Sequence, residues 1–136
     1  MLNIPRATPV NGRTPVVLCI DDEPNVLDLR RKILDAAGYS VLATLSPTEG
    51  IQLFRANQVD LVVLDYWMAD MNGLAVALEL KGINSNVPLV MLSGFHYILD
   101  EPMGRVDEWL IKGETRPSDL LLTISKLLSR DGHCET

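Results

Sequence analysis

The stretch Leu61-Val62-Val63-Leu64-Asp65-Tyr66-Trp67-Met68-Ala69-Asp70-Met71-Asn72-Gly73 decides the fold. Four consecutive apolar residues run straight into a carboxylate. A short run that is apolar at every position reads as a strand buried on both faces, in a parallel sheet covered by helices on each side. Asp65 then marks the carboxyl end of that strand, the edge where open parallel sheets bind their ligands. Three more apolar runs end on polar residues: Val16 to Ile20 on Asp21-Asp22, Pro88 to Leu92 on Ser93, and Glu108 to Ile111 on Lys112. Four separate segments would therefore deliver three carboxylates, a hydroxyl and an ammonium to one crevice.

Between these strands lie helical patterns. Pro24 suits a first helical turn, Val26, Leu29, Ile33 and Ala37 recur at helical spacing, and Gly38 supplies a stop, giving a helix over 24–37. Ser40 to Thr44 reads as a second strand, and Ser46-Pro47-Thr48-Glu49 is a capping box opening a helix through about Ala56. Gly73 to Lys81 is apolar almost all round and is followed by Gly82, while Pro117 opens a last helix ending near Arg130. The region after Ser93 is the exception. Gly94, Pro102 and Gly104 interrupt it, and an interior proline costs a helix about 3 kcal/mol, so a fourth helix there should be short, around 96–101, or irregular.

The expected architecture is a doubly wound α/β fold with a five-stranded parallel sheet and helices on both faces. Residues 1–14 read as a mobile lead-in, 15–130 as the single domain, and 131–136 as a tail.

Bulk properties narrow the functions. The 136 residues are 47% hydrophobic and 22% charged, a globular balance, and the net charge of -6 disfavours nucleic acid and anionic membrane surfaces as direct partners. The first 15 residues lack the apolar core of a secretory signal and no run reaches membrane-spanning length, so a cytoplasmic location is the expectation. Two cysteines, Cys19 in a strand and Cys134 near the end, form neither a disulfide framework nor a zinc set.

If Asp21, Asp22 and Asp65 meet near Lys112, three negative charges face one positive charge. Two like charges about 5 Å apart repel by roughly 3 kcal/mol at an effective dielectric of 20, so the crevice should recruit a hard divalent cation. Mg²⁺ favours such a site, because it binds a few carboxylate or carbonyl oxygens and keeps waters and phosphate oxygens as its other ligands. One carboxylate could then attack a phosphoryl group whose oxygens are held by Lys112 and the Ser93 hydroxyl.

On these residues the chain resembles the receiver domain of two-component response regulators, over about residues 15–130 and with its flavodoxin-like fold. Asp21-Asp22 matches the acidic pair after the first strand, Asp65 the phosphoacceptor, Ser93 the hydroxyl position and Lys112 the lysine. Asp65 to Gly73 is similar to the family's Asp-x-x-Met-Pro-x-Met-x-Gly and lacks only the proline. The resemblance implies that Asp21, Asp22, Asp65 and the backbone carbonyl of Trp67 hold Mg²⁺, and that Ser93 and Trp109 form the switch. It also implies a phosphohistidine donor, a sensor histidine kinase or phosphotransfer protein, and a downstream protein partner of unknown identity.

Two departures accompany the matches: Gly113 stands where the family usually has a proline after a cis bond, which predicts a trans peptide here, and the fourth helix is shortened. Trp67 and Phe95 lie two residues beyond site residues, where their bulk would shield an aspartyl phosphate from water. His96 reads as a surface loop residue. Arg30-Arg31-Lys32 reads as a solvated face or, with Leu27 and Leu34, as a kinase-docking face. Leu121 and Leu122 flank the last helix's core stripe and, joined to the Phe95 to Leu99 region, would leave homodimerisation open.

The competing functions are a binding module of the same fold that signals without phosphorylation, an aspartate-nucleophile phosphatase of the haloacid dehalogenase type, and a flavin binder. The phosphatase would need Asp-x-Asp where this chain has Asp21-Asp22-Glu23, and acids after the first strand would repel a flavin phosphate.

Overall fold

The computed structural model describes residues 5–69, 71–94 and 106–133. Five strands form one parallel sheet: β1 (Val16–Ile20), β2 (Ser40–Thr44), β3 (Leu61–Asp65), β4 (Leu89–Ser93) and β5 (Glu108–Ile111). Their order is β2-β1-β3-β4-β5, so the winding direction reverses between β1 and β3. The described helices are α1 (Pro24–Ala36), α2 (Pro47–Ala56), α3 (Gly73–Ile83) and α4 (Pro117–His133). The expected fourth helix around 96–101, with Pro102 and Gly104, lies outside the described residues.

Strand alternation sorts the core into two layers. Val17, Cys19, Leu61, Val63, Val90 and Leu92 pack with α1 and α4. Leu18, Ile20, Val62, Leu64, Leu89 and Met91 face α2 and α3. The β3 strand is buried from end to end, which is what an uninterrupted apolar run demands. Burial in this core pushes the Cys19 thiol up to about 12, so it stays a neutral packing group.

Several local expectations change in the folded chain. The buried stripe of α1 is Leu27, Arg30 and Leu34, continued by Ala37, while Leu29 is 61% exposed. The helix is thus turned about one residue from the Val26, Leu29, Ile33 register, and a cation occupies a core position. Arg30 therefore does not belong to a solvated face, and Leu27 and Leu34 are unavailable for docking.

Gly82 lies inside α3 rather than ending it, because the helix runs on to Ile83 and is capped at Asn84. Leu121 is a core residue of α4, and Leu122 is half exposed. The capping box at α2 is closed through a third residue. The Glu49 amide donates to Ser46 Oγ at 3.1 Å, but Ser46's own amide donates to Thr44 Oγ1, whose hydroxyl donates in turn to the Glu49 carboxylate.

The lead-in is tied down where it is described. Asn11 and Gly12 form a tight turn with positive φ at both residues, beneath a Val10–Arg13 bridge. Arg13 grips Asp60 with two hydrogen bonds of 2.8 and 2.6 Å, and the Ala7 amide donates to Ala37 O at 2.8 Å. A bidentate guanidinium–carboxylate pair gives a short segment enough fixed contact to dock.

Gly73 shows how closely α3 approaches the sheet. A Cβ there would lie 2.7 Å from Asp65 O and 2.6 Å from Met91 Sδ, whereas a Cβ on Gly82 meets nothing within 4 Å. Gly73→Ala should lower unfolding free energy by about 1–3 kcal/mol through overpacking. Gly82→Ala should raise it by up to about 1 kcal/mol as a helix-interior replacement. Urea unfolding of both variants checks the pair, and equal effects would contradict this packing.

Candidate functional site

Strand register builds the site. Ile20 pairs with Leu64, so Asp21, one residue beyond β1, follows beside Asp65 at the end of β3. Asp65 pairs with Leu92, which places Ser93 next along β4, and Ser93 pairs with Ile111, the residue before Lys112. Offsets of a single residue between apolar run and polar terminus are thus converted into a row of functional groups along one sheet edge.

Asp21 is fully buried and Asp65 nearly so, at 0% and 4% exposure, while Asp22 is half-buried. One carboxylate oxygen from each of the three lies within 4.8 Å of the others. Lys112 Nζ stands 2.9 Å from Asp65 Oδ1 and 3.4 Å from Asp21 Oδ2. Ser93 is fully buried at the neighbouring strand end. The structure therefore brings together Asp21, Asp22, Asp65 and Lys112 and sets Ser93 beside them. Three clustered carboxylates are hard oxygen donors of the kind Mg²⁺ takes, and the donor set fits such an ion.

Two contacts at the site had no counterpart in the sequence reading. Arg30 Nη1 donates to Asp21 Oδ2 at 3.1 Å from the buried face of α1. The amide of Ala69 donates to Asp22 Oδ2 at 2.9 Å, tying the segment after β3 to the acidic pair. Arg30's only sequence signal was its place between Leu27 and Leu34, three residues after one and four before the other. The Ala69 contact left none, because a backbone donor has no residue letter.

The family model for the response regulator receiver domain matches residues 17–101. The chain belongs to the response regulator receiver domain family. Among curated relatives, a probable transcriptional regulator, ycf27, of Cyanidium caldarium is 30% identical over 88% of this chain and 49% of its own length. The response regulator SaeR of Staphylococcus aureus is 30% identical over 84% of this chain and 50% of its own. The chain thus spans about half the length of these two relatives. Among solved structures, a receiver domain protein from Clostridium thermocellum superposes with a TM-score of 0.78 at 27% identity, covering 85% of this chain and 95% of that one. The response regulator TrrA of Thermotoga maritima, solved with Mg²⁺ and BeF, gives 0.77 at 29% identity, covering 84% and 99%. The flavodoxin-like fold and the place in two-component signalling follow.

This receiver domain departs from the family pattern around its lysine. The Lys112–Gly113 bond is trans, and Lys112–Glu114 forms a single 3₁₀ turn. The Thr115 hydroxyl pins the turn by donating to Ile111 O at 2.7 Å. Lys112 reaches Asp65 all the same.

An aromatic row flanks the site. Tyr66 meets Trp67 edge-to-face with ring centroids 5.0 Å apart and lies 6.0 Å from the ring of Trp109. Trp67 is 52% exposed. The Trp109 indole N–H is buried with no acceptor among the described residues. Phe95 and His96 lie outside the described residues. No helix among the described residues is long and apolar enough to cross a membrane.

The Asp65 carboxyl is held above the ordinary carboxylate range, first by burial and then by Asp21, against the opposing hydrogen bond and charge of Lys112 and the charge of Arg30. A raised pKa means the folded state binds this proton more tightly than the unfolded chain does. Its contribution to stability is complete below the unfolded value of about 4 and is lost as pH rises through the folded value. Asp65→Asn, which mimics the neutral acid, should therefore melt higher than the parent at pH 7, with the gap closing as pH falls through the raised folded value and gone below about pH 4. Melting temperatures of both proteins from pH 3 to 8 test this, and a gap that widens on acidification would reverse the sign.

Proposed function

We propose that the domain accepts a phosphoryl group from a phosphohistidine donor onto Asp65, with Mg²⁺ as cofactor, and that this alters its interaction surface toward a downstream protein. The observation that carries the reading is the 2.9 Å approach of Lys112 Nζ to Asp65 Oδ1 beside two further acids at one strand edge. An Asp65 oxygen attacks phosphorus, the O–P bond of an acyl phosphate forms, and the P–N bond breaks with its electron pair leaving on the donor imidazole. That imidazole leaves neutral when its other ring nitrogen carries a proton.

Lys112 is placed to follow the negative charge from carboxylate to phosphoryl oxygens, and Ser93 is the hydroxyl donor nearest in register. Mg²⁺ supplies charge neutralisation and polarisation of the phosphoryl oxygens when bound. Asp21, Asp22, Asp65 and the Trp67 carbonyl are its proposed holders. Trp109, with Ser93, is the proposed switch.

Docking of the donor is supported by a cleft of about 210 Å³ beside the site, lined by Val26, Leu29 and Ile33 of α1 with Arg30, Lys112 and Arg116. An apolar face next to cations suits a helix presenting a phosphohistidine. We assign the domain to the cytoplasm, where a histidine kinase would present its phosphohistidine.

Incubating the full chain with a small acyl phosphate and Mg²⁺ should give a phosphoryl adduct by intact mass that is missing from Asp65→Asn. No adduct from any donor would point to phosphorylation-independent binding instead. We assign the exposed Trp67 ring, two residues beyond Asp65, to shielding the phosphate from water, so Trp67→Ala should shorten the lifetime of the adduct severalfold. An unchanged lifetime, followed by the same mass measurement after donor removal, would show that the ring does not shield the phosphate.

A further inference from the structure

Both acids of the Asp21-Asp22 pair already have donors supplied by the chain. Asp21 accepts the Glu23 amide on Oδ1 at 2.9 Å, and on Oδ2 it meets Arg30 at 3.1 Å and Lys112 at 3.4 Å. Asp22 Oδ2 accepts the Ala69 amide. Ala69 stands where the family motif carries proline, a residue with no amide hydrogen to give. Arg30 itself is 7% exposed, and a guanidinium is buried in a core stripe only when a partner charge meets it there.

We propose that Arg30 and the Ala69 amide are resident competitors for the metal, which hold the acidic pair in the resting domain and must yield before Mg²⁺ binds. This deepens the phosphoacceptor reading and rests on it.

The charge count gives the reason. Asp21, Asp22 and Asp65 carry three negative charges, and Lys112 and Arg30 carry two positive ones, so the resting site has a surplus of one rather than two. A divalent cation entering this site takes it past neutrality. A phosphoryl group on Asp65 adds roughly one further negative charge, and the same set then balances with Mg²⁺ present. Without Arg30 the phosphorylated site would keep one negative charge uncompensated. Arg30 thus weakens the metal alone and favours metal and phosphoryl group together. The cleft beside α1 gives the guanidinium room to leave Asp21, but Lys112 and Arg116 line that space, so departure sets like charges against one another.

The test is a Mg²⁺ titration of the full chain by tryptophan emission and calorimetry, for the parent, Arg30→Gln, Arg30→Lys and Ala69→Pro. Arg30→Gln should bind Mg²⁺ about tenfold tighter, the scale of one partly buried charge pair, and should take up beryllofluoride less well at saturating Mg²⁺. Arg30→Lys keeps the charge and should stay near the parent. Ala69→Pro should also tighten binding. A merely structural role predicts the opposite sign, because loosening the pocket weakens the metal. Equal or weaker Mg²⁺ binding by a folded Arg30→Gln, with its cooperative melt intact, overturns the assignment of Arg30, and the same result for Ala69→Pro overturns that of the amide. Failure of all four proteins to bind Mg²⁺, with no adduct by mass, would overturn the phosphoacceptor reading itself.

Discussion

Two carboxylates stand side by side at the ends of adjacent strands because Ile20 pairs with Leu64, and the rest of the site is arranged around their repulsion. Neither acid can retreat, since each is fixed by a strand buried on both faces. Lys112 reaches both, and Arg30 reaches Asp21 from α1. The turn after β5 and the register of α1 therefore answer to one electrostatic demand. That demand also explains why α1 gives up an aliphatic side chain at a core position. A fully buried leucine would be worth about 1.5–3 kcal/mol there, and Arg30 instead gives the fully buried Asp21 carboxylate a second cation beside Lys112.

The opposite edge of the sheet shows what acids do when no ligand is wanted. Asp60 accepts the amide of Val16 at 2.7 Å and is closed off by Arg13. Asp107 accepts the amide of Leu89 at 2.8 Å and is closed off by Lys81, whose ammonium also donates to Val87 O. In each case one acid, one strand-start amide and one cation form a complete set that fixes where a strand begins. The carboxyl edge uses the same parts with the count left uneven, three acids to two cations. The two edges thus differ in the charge left over.

The five strands were legible because runs apolar on every residue admit few other readings, and the polar residue ending each run gave away the site. Asp21, Asp22, Asp65 and Lys112 followed from strand ends alone. What escaped depends on tertiary choice. The α1 sequence contains two overlapping stripes, Val26-Leu29-Ile33 and Leu27-Leu34, and the one that is buried carries Arg30 to Asp21. A charged residue in a helix is usually solvated, so its burial cannot be read before its partner is in place. Gly82 looked like a stop because glycine favours helix ends, yet its position in α3 demands no positive φ and the helix passes through it. The docking of Arg13 depends on Asp60, whose role appears only once β1 and β3 are paired.

The aromatic wall gives the site a second asymmetry. Trp109 packs against Tyr66 with its indole N–H buried and unmet among the described residues, at a desolvation cost of about 1–3 kcal/mol. Trp109 sits on β5 three residues before Lys112, so the aromatic wall and the lysine that reaches Asp65 are carried by one short segment. The charge imbalance at the strand edge and the aromatic wall are thus joined by one short stretch of chain, from Trp109 on β5 to Lys112 just beyond its end.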